Sequence, residues 1–247
     1  MSKINLYPCF SKWLEFDNIY LLSDPHFNDE EMKHIRKDYI GDDEQVERIN
    51  KVVHKRDLLI CLGDVGDIEY IKKIKAGYKV LIMGNHDKGK TNYQRKIEDV
   101  KVFCSHGITK EEHQLIDLYT TNHLLGKEDK ELDVKAKEIF DKYSTIEQRD
   151  NHLFDEVYEG PLMISDRIIL SHEPMDLPQY LYNIHGHDHA RSDTGKNHMN
   201  VCAEHINYTP ISFTSLLKNG LLKDVDSIHR IIIDRATNKK RGKKTVE

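Results

Sequence analysis

Five short segments carry side chains suited to holding metal ions. They are Asp24-Pro-His26, Gly63-Asp64-Val-Gly-Asp67, Gly84-Asn85-His86-Asp87, Ser171-His172 and Gly186-His187-Asp-His189. Donors at i and i+2 of an extended chain lie on the same side. Asp24 with His26, and His187 with His189, can thus each aim two donors into one pocket. Mixed carboxylate and imidazole donors suit Mn, Fe, Zn or similar ions. A paired site holds its ions about 3.5–4 Å apart and clamps an in-line displacement at phosphorus. Such a positive centre attracts phosphate and stabilises the negative charge of the transition state. Each segment alone is a weak signal, since a D-x-H tripeptide or a lone His is more often incidental. The weight comes from all five together, each at the end of an apolar run.

Those runs are the elements that must position the donors. Asn18–Ser23, Asp57–Leu62 and Tyr78–Met83 are short and apolar, as expected of strands buried on both faces. Between them, Val46, Ile49 and Val53 mark one helical face, and Ile68, Ile71 and Ile74 another. Asp42 with Gln45 suggests a capping box at the start of the first helix, and Gly77 a C-terminal cap on the second. This β-α-β-α-β order implies parallel strands, with a site beyond their carboxyl ends. Residues 97–104 read as a fourth strand. Thr109 to about Arg149 reads as an inserted helical hairpin, too short for a core of its own. From Phe154 to Ala203 the pattern suggests an antiparallel meander. Ile211–Leu217 reads as a short helix and Ile228–Ile233 as a last strand. The charged end, residues 238–247, suits a disordered tail.

The chain has 247 residues, 38% hydrophobic and 32% charged, with net charge −5. The charge gives no global drive toward nucleic acid or an anionic membrane. No apolar run approaches the roughly 20 residues needed to span a bilayer. Cys9, Cys61, Cys104 and Cys202 are scattered, which argues against a disulfide framework. Cys61 and Cys104 sit in apolar runs and read as buried thiols. The expected compartment is the cytoplasm.

The ordered set D-x-H, G-D-x-x-D, G-N-H-D, H and G-H-x-H resembles the calcineurin-like metallophosphoesterase superfamily. The resemblance covers roughly residues 18–108 and 150–215 and extends to Asn207-Tyr-Thr-Pro-Ile-Ser212. It implies a four-layer α-β-β-α sandwich, here with the helical hairpin inserted, in a single domain over residues 1–237. It implies two divalent transition-metal ions, with Mn favoured over Fe, Zn or Ni. Asp24, His26, Asp64 and His189 would hold the first ion. Asp64 would bridge to the second, completed by Asn85, His172 and His187. A bridging hydroxide would attack phosphorus, and His86 would contact the phosphate and protonate the leaving oxygen. Asp87 would support His86, and Asn85 would also face substrate. Arg36, one short segment after the first motif, is a further candidate for a substrate phosphate, as is His34. Asp67 reads as structural.

The resulting expectation is a phosphoesterase acting on phosphate esters, diesters in particular, with nucleotides among the candidate substrates. A nuclease on DNA or RNA ends is the second enzyme reading, which the net charge disfavours. A metal-free interaction scaffold is the rival of a different class, and it predicts missing donors where none is missing. The hairpin at 109–149 could make a homo-oligomer contact.

Overall fold

Three apolar runs become neighbouring parallel strands because each buries side chains on both faces. In the computed structural model, which describes residues 5–36, 39–89, 92–191, 195–225 and 228–236, they are β1 (Ile19–Leu22), β2 (Leu58–Cys61) and β3 (Tyr78–Ile82). β1 pairs with β2, and β2 with β3, in parallel. Alternation splits each strand between two cores. Ile19, Leu21, Leu58, Ile60, Val80 and Ile82 enter one, and Leu22, Leu59, Cys61 and Leu81 the other. Fully burying one such side chain stabilises by roughly 1.5–3 kcal/mol.

Three short helices connect the strands: α1 (Glu30–Ile35), α2 (Asp42–Val52) and α3 (Ile68–Lys73). Val46, Ile49, Val53 and Ile71 close the second core over the sheet. The expected capping box on α2 is not formed. Gly41 is its N-cap, and Asp42 instead accepts from the Asn28 amide and the Tyr39 hydroxyl. Nor does Gly77 cap α3, which ends at Lys73 with Ile74 extended. Gly77 passes so close to Lys55 that a Cβ would lie 2.0 Å from its carbonyl oxygen.

Lys96–Asn151 forms a compact unit of its own. Within it β4 (Ile97–Phe103) and β5 (Ser144–Asp150) make an antiparallel ribbon. They bracket α4 (Lys110–Leu124) and α5 (Lys130–Lys142). The Thr109 hydroxyl and Glu112 carboxylate form a capping box that opens α4. Leu132, Ala136 and Ile139 of α5 are buried, and Phe140 packs edge-on to Phe103 and Tyr119. Helix therefore stops short of Arg149. Ser144–Arg149 is strand, where Thr145 and Ile146 favour extended chain, and residues 97–103 join this ribbon and not the main sheet. Cys104, expected buried, is exposed.

Met1–Arg95 and His152–Glu247 make the other unit. β6 (Glu156–Tyr158) adds to β3 in parallel. β7 (Leu162–Met163), β8 (Ile168–Leu170), β9 (Tyr182–His185) and β10 (His198–Asn200) form a second sheet in the order β10-β9-β8-β7. This sheet is not the expected meander. Only β7 and β8 are antiparallel, while β8, β9 and β10 run parallel. The long connections 171–181 and 186–197 return the chain to the end from which it started. Ile168, Leu170, Tyr182 and Ile184 share the first core with β1, β2 and β3, so the two sheets face each other across it.

β11 (Ile211–Ser212) closes the first sheet antiparallel to β1 and leads into α6 (Phe213–Lys218). Where a last strand was expected stands α7 (Ile228–Ala236). Ile228, Ile231 and Ile232 have the i, i+3, i+4 spacing of a helix face. The expected disordered tail, 238–247, lies outside the described residues. Among the described residues no helix is long and apolar enough to cross a membrane.

Candidate metal centre

β1, β2 and β3 end along one edge of the first sheet, and the turns beyond them carry Asp24 and His26, Asp64, and Asn85 and His86. The first two turns stay zipped together. Asp24 N donates to Gly63 O at 3.0 Å, His26 N to Asp64 O at 3.1 Å and Phe27 N to Val65 O at 3.0 Å. β8 and β9 bring up His172, and His187 with His189. His187 N donates to Asp24 Oδ2 at 2.9 Å, which ties the second sheet's loop to the first sheet's turn.

The backbone at this edge is strained. Asp24, His26, Asp64 and His187 have φ of +55, +45, +50 and +66°. Residues with a Cβ rarely adopt this region, and each costs on the order of 1–3 kcal/mol. Such cost is retained where a geometry is needed. Two glycines let the turns close. A Cβ at Gly84 would lie 2.1 Å from Asp64 Oδ1, and one at Gly186 2.1 Å from Asp24 Oδ2.

Two donor groups result. Around the first, Asp24 Oδ1 is 3.8 Å from His26 Nε2 and 3.6 Å from His189 Nε2, and Asp64 Oδ2 is 3.7 Å from His26 Nε2. These are too long for hydrogen bonds. Asp24 Oδ1 and His26 Nε2 are buried, yet neither has a hydrogen-bond partner. Unmet buried polar atoms cost about 1–3 kcal/mol each, and a cation between them would meet both. Around the second, His172 Nε2 faces Asn85 Oδ1 at 2.9 Å, His187 Nδ1 at 3.1 Å and Asp64 Oδ2 at 3.3 Å. One N–H cannot serve three acceptors, whereas a single ion could take all four atoms. Asp64 Oδ2 belongs to both groups. The donor set thus fits divalent metal.

The imidazoles are held from behind. His26 Nδ1 donates to Asp29 Oδ2 at 3.0 Å and His172 Nδ1 to Leu62 O at 2.8 Å, leaving each Nε2 for the centre. Burial works to pull His172 down, but the Asp64 hydrogen bond and the Asp24 charge hold it up at about 9. Burial likewise works to raise Asp64, but the His172 hydrogen bond and charge, the His86 amide and the His26 charge together outweigh it, leaving Asp64 at about 2. Burial lowers His26.

Asp87 departs from its expected role. It is fully buried, and its oxygens accept from the backbone amides of Gly84, Asp64 and Val65 at 2.8–3.0 Å. It clamps two turns together and does not hydrogen-bond to His86. Arg36 departs too. Its guanidinium is buried behind the donors, against the Asp24 carbonyl at 3.4 Å and Glu204 at 3.2 Å, and does not face a substrate cleft. His34 is exposed on α1. Asp67 caps α3, accepting from Glu69 N.

His86 is exposed at the centre's rim, its amide donating to Asp64 Oδ1 at 2.9 Å. With His26 it lines a cleft of about 560 Å³ that includes Asp29, Glu31 and Tyr93. Asn85 and His172 line a second cleft of about 250 Å³, with Lys88, Met83, Pro161 and Met175. Three residues at the centre have no counterpart in the sequence reading. Cys202 Sγ lies 3.2 Å from Asp24 Oδ2, Glu204 Oε1 2.6 Å from His189 Nδ1, and Asp29 behind His26. Of these only Asp29, three residues after His26 in a polar segment, offered a sequence signal.

No curated protein gives a significant match to this chain. Among solved structures, a protein of unknown function from Aquifex aeolicus shares 21% identity, over 81% of this chain and 98% of that one, at a TM-score of 0.49. Residues 18–211 match the family described as calcineurin-like phosphoesterase. That span runs from β1 to β11 and contains every donor of both groups. With this match over most of its length and with donor groups able to hold metal, the chain belongs to the calcineurin-like phosphoesterase family of metal-dependent hydrolases.

Proposed function

We propose that the protein hydrolyses phosphate diesters at a two-ion centre in which Asp64 is shared. The observation that carries this reading is Asp64 Oδ2, which lies 3.7 Å from His26 Nε2 in one donor group and 3.3 Å from His172 Nε2 in the other. Asp24, His26 and His189 would complete the first ion's set, and Asn85, His172 and His187 the second's. Mn2+ is our proposed ion, in line with the family resemblance; the carboxylate and amide oxygens suit it, while the imidazoles admit Fe, Zn or Ni as well. When bound, the ions would supply Lewis-acid stabilisation of the phosphate and an activated water.

The chain's own residues do the rest. His86 projects at the rim, where an imidazole can hand a proton to the departing alcohol oxygen. Its amide is fixed on Asp64, so acid and shared donor are held as one piece. Among the described residues, the cleft beside His86 offers Asp29 and Glu31 and no lysine or arginine. It favours a neutral or cationic leaving alcohol over another phosphate. The cleft beside Asn85 offers Lys88 together with Glu159 and Glu173, and Met83 with Met175. Room on both sides of the centre supports a phosphorus carrying two substituents, hence a diester. The acidic cleft disfavours a polynucleotide.

Turnover of bis-p-nitrophenyl phosphate and p-nitrophenyl phosphate with Mn2+, with and without chelator, tests the reading. Faster metal-dependent hydrolysis of the diester is expected. Equal or faster monoester turnover removes the diester assignment, and no metal-dependent turnover of either removes the enzyme.

A further inference from the structure

Behind His189 stands a carboxylate that is itself paired with a buried arginine. His189 Nδ1 is 2.6 Å from Glu204 Oε1, which belongs to a different segment, 15 residues on. Glu204 and Arg36 are both buried, with side chains 7% and 4% exposed, and pair at 3.2 Å. Arg36 Nη2 also comes within 2.6 Å of His189 Nδ1 and donates to the Asp24 carbonyl at 3.4 Å. A guanidinium has only donors and an ionised carboxylate only acceptors. These two contacts ask opposite things of Nδ1, and an ion beside Nε2, which is 3.6 Å from Asp24 Oδ1, would decide between them: the lone pair then stands on Nε2 and the Nδ1 proton goes to Glu204. Arg36 holds Glu204 in place from one side and the Asp24 turn from the other. A buried pair of charges is a costly device for stability alone, since desolvation offsets the attraction.

We propose that Glu204, held by Arg36, is the positioning residue for His189. It fixes the imidazole tautomer and angle so that Nε2 joins Asp24 and His26 at the first ion. This rests on the two-ion reading above. It assigns a purpose to a buried ion pair with no direct access to substrate. It also joins the first motif's turn to the last through one chain of contacts, Asp24 carbonyl, Arg36, Glu204 and His189. Orienting partners of this kind characteristically change metal affinity by about 10–100-fold.

The test is titration of the chelated full chain with Mn2+ alone, followed by calorimetry. Wild-type protein, Glu204→Gln, and the double variant Arg36→Met with Glu204→Gln are compared, each with its melting temperature. Glu204→Gln strands the buried Arg36 charge and is expected to melt lower. The double variant removes both charges and recovers melting temperature. Under the proposal, one of two binding steps is weakened about 10–100-fold in both variants, and the other step is unchanged. Recovery of wild-type affinity in the double variant would make Glu204 a purely structural partner and overturn the proposal. Weakening of both steps alike would overturn it too. Wild-type protein that binds no Mn2+ would overturn the two-ion reading, and this proposal with it. Wild-type binding that survives intact in Glu204→Gln overturns this proposal alone.

Discussion

Asp87 accepts a hydrogen bond from the backbone amide of Asp64 at 2.8 Å, although the two residues lie on the turns of different strands. The same carboxylate takes the amides of Val65 and Gly84. Hydrogen bonds to an ionised acceptor are roughly twice as strong as neutral ones, and all three here are buried. Asp87→Asn presents one acceptor oxygen to three donors and turns an N–H toward amides. The expected cost is about 1–3 kcal/mol, seen as a lower melting temperature in the presence of chelator. Metal binding should weaken as well, because Asp64 loses its anchor. If Asp87 served only to support His86, the chelated protein would melt as wild type does.

His86 gives the opposite pattern. Its side chain is exposed and is not among the buried donors, so His86→Ala should retain metal content and melting temperature. Loss of a general acid costs about 10²–10⁴-fold in turnover for an alcohol that leaves with difficulty. For p-nitrophenolate, which departs without a proton, the loss should be much smaller. A paired comparison of an alkyl and a nitrophenyl ester checks this. An equal loss on both would assign His86 to phosphate binding.

The convergence of the five segments was legible because each ends an apolar run, and parallel strands align their carboxyl ends. Strand direction in the second sheet was not, because short runs such as Ile168–Leu170 read the same in either direction. The inward turn of Arg36 is hidden in the sequence for a related reason. A cation near an anion site looks alike in sequence whether it points at substrate or at Glu204, and only the fold brings Glu204 behind His189. Asp87 sits beside His86 in the chain, yet a tight turn sends neighbouring side chains to opposite sides. Ile228–Ile233 is rich in β-branched residues, which suit a strand, but the spacing of its isoleucines is that of a helix face, and helix is what forms.

His172 predicts how pH acts on the protein with and without metal. Its value of about 9 lies above the ordinary 6.5. In chelated protein the charged His172–Asp64 pair contributes stability that is complete below about pH 6.5. That contribution is lost as pH rises through about 9, since the folded chain holds the proton more tightly than the unfolded one. An ion must displace this proton, so Mn2+ affinity should rise over the same range, with protons released on binding. The stabilisation conferred by Mn2+ therefore grows with pH. Melting curves at about pH 6, 7.5 and 9, with EDTA and with Mn2+, measure the difference. A gain from Mn2+ that shrinks as pH rises would show that His172 is not displaced of its proton by the ion.

Two glycines separate the shared donor from an unshared one. A Cβ at Gly84 would lie 2.1 Å from Asp64 Oδ1 and 2.7 Å from Asp64 N, so Gly84→Ala pushes on the carboxylate common to both groups. A Cβ at Gly186 would lie 2.1 Å from Asp24 Oδ2 and 2.0 Å from Ser23 Oγ, so Gly186→Ala pushes on a carboxylate that belongs to the first group alone. Gly84→Ala is expected to lose both ions and Gly186→Ala one, as measured by metal content after dialysis against Mn2+. Both changes strain backbone next to buried side chains, so each should also melt lower, and melting temperature alone cannot tell them apart. The stoichiometry can. Loss of a single ion from Gly84→Ala, with both retained by Gly186→Ala, would place the shared donor somewhere other than Asp64.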